Sequence, residues 1–200
     1  VNVQRVMGVA VSGLLMAGAA GAQEPGFELA AQGTITDRRE LEATDVTLGL
    51  RLSWRAAPWL AFDGEALLGP GDLGGERPSS GTRTELLAGL RFGRDLGASG
   101  AYGVLRGGVV RFTAPSRPVP CILIFPPPLA CSIAQGDTVP AFEFGAGYQF
   151  ALNERARVFL ELRDQVVKYE GPVMDASFEP RLESFWSHNP RLGIGLGWSF

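Results

Sequence analysis

The stretch RLESFWSHNP, residues 181–190, holds the one histidine of the chain, His188, close to Glu183, Ser184 and Ser187. A base, hydroxyls and an acid are the inventory of nucleophilic acyl transfer, in which a carboxylate orients an imidazole that accepts the proton of an attacking hydroxyl. The plainer reading, a polar loop beside a proline, accounts for the same residues without any chemistry. Metal chemistry has little to work with: two cysteines and one histidine do not make a ligand set. No cofactor-binding pattern is present either. The remaining reactive side chains are charges of both signs, 18 Lys+Arg against 21 Asp+Glu, for a net charge of −3. All of the cations except Lys168 are arginines. Arginine stays ionised and pairs bidentately with carboxylates, which suits ion pairs withdrawn from bulk water. A net negative chain of this kind excludes nucleic acid as a partner, because phosphate neutralisation needs a basic surface.

The elements that position these charges read as strands. Period-two alternation recurs over about 25–35, 44–55, 58–69, 81–93, 100–113, 139–152, 155–168 and 190–200. One face is apolar: Val46, Leu48, Leu50, Leu52 and Trp54 in the second strand, Phe142, Phe144, Ala146, Tyr148 and Phe150 in the sixth, Val158, Leu160 and Leu162 in the seventh, and Leu192, Ile194, Leu196, Trp198 and Phe200 in the last. The other face collects glycines and charges. In the fifth strand either register puts an arginine on the apolar side; the favoured one turns Arg106 inward and leaves Arg111 near a rim. Connections after the second, fourth and sixth strands are short, whereas those after the first, third, fifth and seventh are mostly longer. This is the pattern of an all-β, eight-stranded antiparallel up-and-down barrel.

Two closed barrels fit such strands. A soluble one buries the apolar face inside; a transmembrane one turns it to lipid and lines the lumen with polar groups. Three features favour the second. Residues 1–22 carry an early Arg5, an apolar run from Val6 to about Ala20 and the small residues Ala20, Gly21 and Ala22, the three parts of a secretory signal peptide with cleavage after Ala22. That predicts export through the Sec pathway and a mature domain over 23–200. The rings of Phe27, Trp54, Trp59, Phe92, Tyr102, Phe150, Trp198 and Phe200 fall near the short-turn ends, as an aromatic girdle at one lipid–water interface would. Finally, many glycines on the charged face suit a narrow interior crossed by long side chains. Export also makes a disulfide between Cys121 and Cys131 the first reading of those two residues, closing a proline-stiffened loop worth about 2.5–3 kcal/mol in the chain-entropy picture.

Taken together, the leader, the eight alternating segments and the ending GIGLGWSF resemble the small outer-membrane β-barrel proteins of Gram-negative bacteria, the eight-stranded OmpA-like or porin-family type, over essentially all of residues 23–200. The resemblance implies a place in the outer membrane among its lipids. It also implies that Leu196, Trp198 and Phe200 belong to an assembly signal read by the barrel-assembly machinery. The pattern departs from OmpA itself in that no peptidoglycan-binding domain is expected after the barrel, so cell-wall attachment is not carried over.

Eight strands enclose a lumen just wide enough for side chains to fill. Its candidate lining is Glu28, Arg51, Asp63, Glu65, Glu85, Arg91, Arg106, Glu143, Gln149, Glu161 and Arg163, and buried charges of both signs must pair, so an ion-pair network closing the lumen is expected. The predicted role is structural or in surface interaction, without catalysis, the long 114–138 loop offering Ile122, Leu123, Ile124 and Phe125 to a surface ligand or protein. Two alternatives stand beside it: a narrow porin-like channel, and a lipid A-modifying enzyme using His188, since outer-membrane lipid A deacylases and acyltransferases carry a similar set of serine, histidine and acid.

Overall fold

The computed structural model describes residues 26–41, 43–69, 82–96, 99–113, 136–174 and 180–200, with the side chains of 41–43 and 172–182 left aside. The signal peptide with its cleavage site, the Cys121–Cys131 pair and most of the 114–138 loop lie outside the described residues. Eight strands follow in order: β1 (Gly26–Arg38), β2 (Ala43–Ala57), β3 (Leu60–Gly69), β4 (Arg83–Gly93), β5 (Gly100–Phe112), β6 (Asp137–Ala151), β7 (Ala156–Met174) and β8 (Pro180–Ser199). Each is antiparallel to the next, and β8 pairs back onto β1 from Glu28↔Ser199 to Thr36↔Arg191, so the sheet is a closed barrel. The Phe200 amide donates to the Phe27 carbonyl at 2.9 Å, extending the closure to the last residue. Closure leaves no open edge over the shared height of the barrel.

The alternation read from sequence decides which way each side chain points. Leu50, Leu52, Phe62, Leu105, Phe144, Leu160 and Ile194 are all exposed on the outside, while Arg51, Glu85, Arg106, Glu143 and Glu161 are buried within. Polar groups are therefore inside and apolar groups outside, the reverse of a soluble barrel. Two inward glycines show how narrow the interior is. A Cβ on Gly147 would come within 2.7 Å of the Tyr102 ring and 2.8 Å of Glu161, and one on Gly195 within 2.2 Å of the Phe159 ring and 2.7 Å of the Ala31 carbonyl oxygen. Glycine is needed there to admit a neighbour's ring.

Several strand ends depart from the sequence reading. β1 and β2 run on until only residues 39–42 separate them, three of them in a 3-10 turn, Arg39–Leu41, so the first connection is not long. The larger difference is at β7 and β8, which are 19 and 20 residues long. The ladder between β6 and β7 stops at Ala141↔Val167 and that between β8 and β1 at Arg191↔Thr36, yet β7 and β8 stay paired from Lys168↔Trp186 to Met174↔Pro180. Phe185, Trp186 and His188 thus lie in a strand and not in a polar loop. Beyond the apolar band the contrast between the two faces fades, so alternation loses its power to mark the end of a strand.

Candidate functional site

The inner wall carries charges from every strand. Its buried cations are Arg38, Arg51, Arg83, Arg91, Arg106, Arg157, Arg163 and Arg191; its buried carboxylates are Glu28, Asp45, Asp63, Glu65, Glu85, Glu143 and Glu161. They form tiers along the barrel axis. Near the short turns, Glu28 faces Arg91 at 3.3 Å, Arg157 at 3.1 Å and Arg51 at 3.6 Å. In the middle, Arg106 reaches Asp63 at 2.9 Å, Glu65 at 3.2 Å and Glu143 at 2.9 Å, and Arg163 reaches Glu65 at 3.1 Å and Glu143 at 2.7 Å. Glu161 accepts from Arg51 at 2.6 Å and from the Tyr102 hydroxyl at 2.7 Å. Toward the other rim, Arg191 bridges Glu143 at 3.2 Å and Glu85 at 2.6 Å, while Arg38 pairs with Asp45 at 2.5 Å and Arg83 with both Asp45 and Glu85.

This arrangement suits a lumen withdrawn from water. Each of the eight buried arginines meets at least one carboxylate, and each of the buried carboxylates is shared by two or more arginines; removing one member of such a network costs far more than the network contributes relative to an apolar core. Aromatic faces supply further contacts: the Arg51 guanidinium carbon lies 3.8 Å from the centroid of the Phe159 ring. Apolar clusters border the charged tiers. Near the short turns Leu96 packs with Ala30, Ala61, Tyr102, Val104 and Phe159. It is held there by its amide donating to the Pro58 carbonyl at 2.7 Å and by Gln149 Nε2 donating to the Leu96 carbonyl at 3.0 Å. Toward the opposite rim Leu87, Val110, Phe112, Val139, Ala141, Val167 and Tyr169 form a second cluster, with Phe185 against it.

All the residues chosen from sequence for the lumen, Glu28, Arg51, Asp63, Glu65, Glu85, Arg91, Arg106, Glu143, Gln149, Glu161 and Arg163, are buried on this inner wall. Arg38, Asp45, Arg83, Arg157 and Arg191 join them and were missed. Their signal was parity. Arg191 shares the face of Gly193, Gly195, Gly197 and Ser199, and Arg157 that of Glu161; Arg38 stands beyond residue 35, where the alternation of the first segment ends.

On the outer wall Trp54, Trp59, Phe92, Phe150 and Trp198 are exposed near the short turns, as are Phe27 and Phe200. Trp54 stacks on Phe62 with centroids 5.5 Å apart. Tyr102 is a correction: it points into the lumen and is 3% exposed, because it shares the parity of Val104 and Arg106. Leu196 and Trp198 face outward on β8.

His188 also faces outward. Its Nδ1 lies 2.6 Å from Asp164 Oδ2 on β7, so the acid beside it is neither Glu183 nor any other residue of its own segment. Ser187 points the opposite way, into the barrel, and is 2% exposed. On adjacent outward positions of β7 and β8 the pair is flanked by Trp186, Pro190 and Val166, none of which carries a hydroxyl.

No protein-family model and no curated protein sequence matches the chain; its likeness to known proteins is three-dimensional. Neisserial surface protein A superposes with a TM-score of 0.57 at 12% identity, covering 90% of this chain and all of the other. The amino-terminal β-barrel domain of Pseudomonas aeruginosa OprF gives 0.49 at 14% identity over 90% of this chain and all of its own. Ail, the attachment invasion locus protein of Yersinia pestis, gives 0.46 at 11% identity over 88% of this chain and 97% of its own. The chain shares its fold with the small eight-stranded barrels of the outer membrane.

Proposed function

We propose that the protein is a small outer-membrane barrel with a structural or surface-interaction role, its lumen plugged by ion pairs. The observation that carries this is the inversion: exposed Leu50, Phe144, Leu160 and Ile194 outside, fully buried Arg106, Glu143 and Glu161 inside. Only a hydrocarbon solvent favours that arrangement, and only a closed sheet satisfies its backbone there. In this reading residues 1–22 direct Sec export and are removed after Ala22, the barrel-assembly machinery receives the β8 end, and the long-loop rim faces outward from the cell. The Cys121–Cys131 disulfide stiffens the 114–138 loop, through which a surface ligand or protein is bound.

The lumen argues against a diffusion pore. Eight arginine side chains cross it, paired and flanked by apolar clusters, so passage of a solute would require several ion pairs to part together. Catalysis is not part of this role: His188 has an orienting acid in Asp164, but the serine next to it in sequence faces the lumen. The test is planar-bilayer recording on refolded protein whose migration shifts between unheated and boiled samples. Folded protein without stable current supports the reading; large steady currents overturn the plugged lumen, and a water-soluble protein overturns the membrane barrel.

A further inference from the structure

The two apolar clusters that border the lumen charges differ in what carries them. Toward the long-loop rim every member, from Leu87 to Phe185, stands on a strand. Near the short turns one member does not: Leu96 belongs to the turn between β4 and β5, and packs among Ala30, Ala61, Tyr102, Val104 and Phe159. Turn residues ordinarily face water. Arg94 and Ser99 do so, whereas Leu96 is 2% exposed, so the chain dips into the mouth of the barrel between them.

What lies behind Leu96 is polar. Tyr102, against which it packs, donates to Glu161 at 2.7 Å, and the Phe159 ring carries the Arg51 guanidinium on its face at 3.8 Å. Arg51 and Glu161 themselves pair at 2.6 Å. The leucine therefore stands between the water of the short-turn side and a buried ion pair. A strand side chain cannot leave such a position without breaking its ladder, but a turn is held by fewer bonds. The ends of this one are tied by the Gly93 amide donating to the Trp59 carbonyl at 3.0 Å and by the Ala151 amide donating to Ser99 Oγ at 2.9 Å. Among the described residues two hydrogen bonds hold Leu96 between those ties, from its amide to Pro58 and from Gln149 Nε2 to its carbonyl.

We propose that the β4–β5 turn is a hinged stopper of the barrel: Leu96 swings out between the ties at Gly93 and Ser99 and admits water and small ions as far as the Arg51–Glu161 pair, while the long-loop end stays shut. Opening uncovers one leucine side chain and gives up two hydrogen bonds, and it leaves every ladder intact, so it is a local event that needs no unfolding of the barrel. This rests on the plugged-lumen reading and adds to it the side from which the plug is entered.

The test is the rate at which a single buried thiol reacts with a membrane-impermeant methanethiosulfonate reagent, in protein that carries Cys121→Ser and Cys131→Ser and still shows heat-modifiable migration. Ala61→Cys places the thiol beside Leu96, and Val110→Cys places it in the opposite cluster, at positions 1% and 0% exposed. At position 61 the thiol is expected to react slowly. The rate is expected to rise about five-fold when Gln149→Leu removes the bond to the Leu96 carbonyl, and about 10- to 100-fold with Leu96→Gly, the factors that one hydrogen bond and one buried leucine side chain are worth. At position 110 the thiol is expected to stay unreactive in all three backgrounds. A rate at position 61 that is the same in all three, whether fast or nil, overturns the stopper. Fast reaction at position 110 with Leu96 and Gln149 in place overturns the plugged lumen itself.

Discussion

Glu143 is where the lumen network is most exposed to a single change. Its two oxygens accept from Arg106 at 2.9 Å, Arg163 at 2.7 Å and Arg191 at 3.2 Å, joining the middle tier to the upper one. Glu143→Gln keeps the shape and removes the charge, which leaves eight buried arginines facing six carboxylates. Breaking a buried pair by removing one partner costs about 3–5 kcal/mol. Each of the three arginines keeps another carboxylate here: Asp63 and Glu65 for Arg106, Glu65 and Glu161 for Arg163, Glu85 for Arg191. The loss is therefore expected near the lower end, about 3 kcal/mol. Equilibrium urea unfolding in lipid vesicles, followed by tryptophan emission and by migration of unheated samples, measures it. Glu154→Gln, an exposed carboxylate in the turn between β6 and β7, is the control and is expected to shift stability by less than about 0.5 kcal/mol. If Glu143→Gln were as mild as the control, the lumen charges would be hydrated and screened, and the argument for a dry, plugged interior would fail.

Two further outcomes follow from the wall itself. Leu50 stands exposed near the middle of β2's outward row, so Leu50→Arg in vesicles is expected to cost about 2–4 kcal/mol, whereas the same change in a soluble barrel's exterior would be almost neutral; a negligible cost in the same unfolding assay contradicts the inverted arrangement. Gly195→Val drives a side chain into the Phe159 ring and the Ala31 carbonyl just where β8 closes on β1, and is expected to abolish the heat-modifiable band; a normal yield of folded barrel would mean that this closure is not as tight as described.

Much of the barrel is legible without coordinates, because a strand's period of two ties facing to residue number. Once the faces are assigned, Arg51, Glu65, Glu143 and Glu161 are inside and Leu50, Phe144 and Leu160 outside by parity alone. Parity also places Tyr102 inside with Val104 and Arg106, although an aromatic ring near a short turn fits the girdle by position alone. What parity cannot supply is the length of β7 and β8, since no greasy stripe marks a strand that stands clear of hydrocarbon. Sequence alone therefore leaves His188 in a polar loop with Glu183 as the nearby acid, whereas the fold sets it on β8 beside Asp164.

The sequence by itself determined which side chains face in and which face out, since that is a consequence of local alternation. Only the tertiary structure decided which charge meets which. The partners Arg51 and Glu161 are 110 residues apart, and Arg38 and Tyr169 are 131 apart. Their meeting across the lumen depends on the stagger of strands around the whole barrel, a property of the closed sheet that no single segment carries.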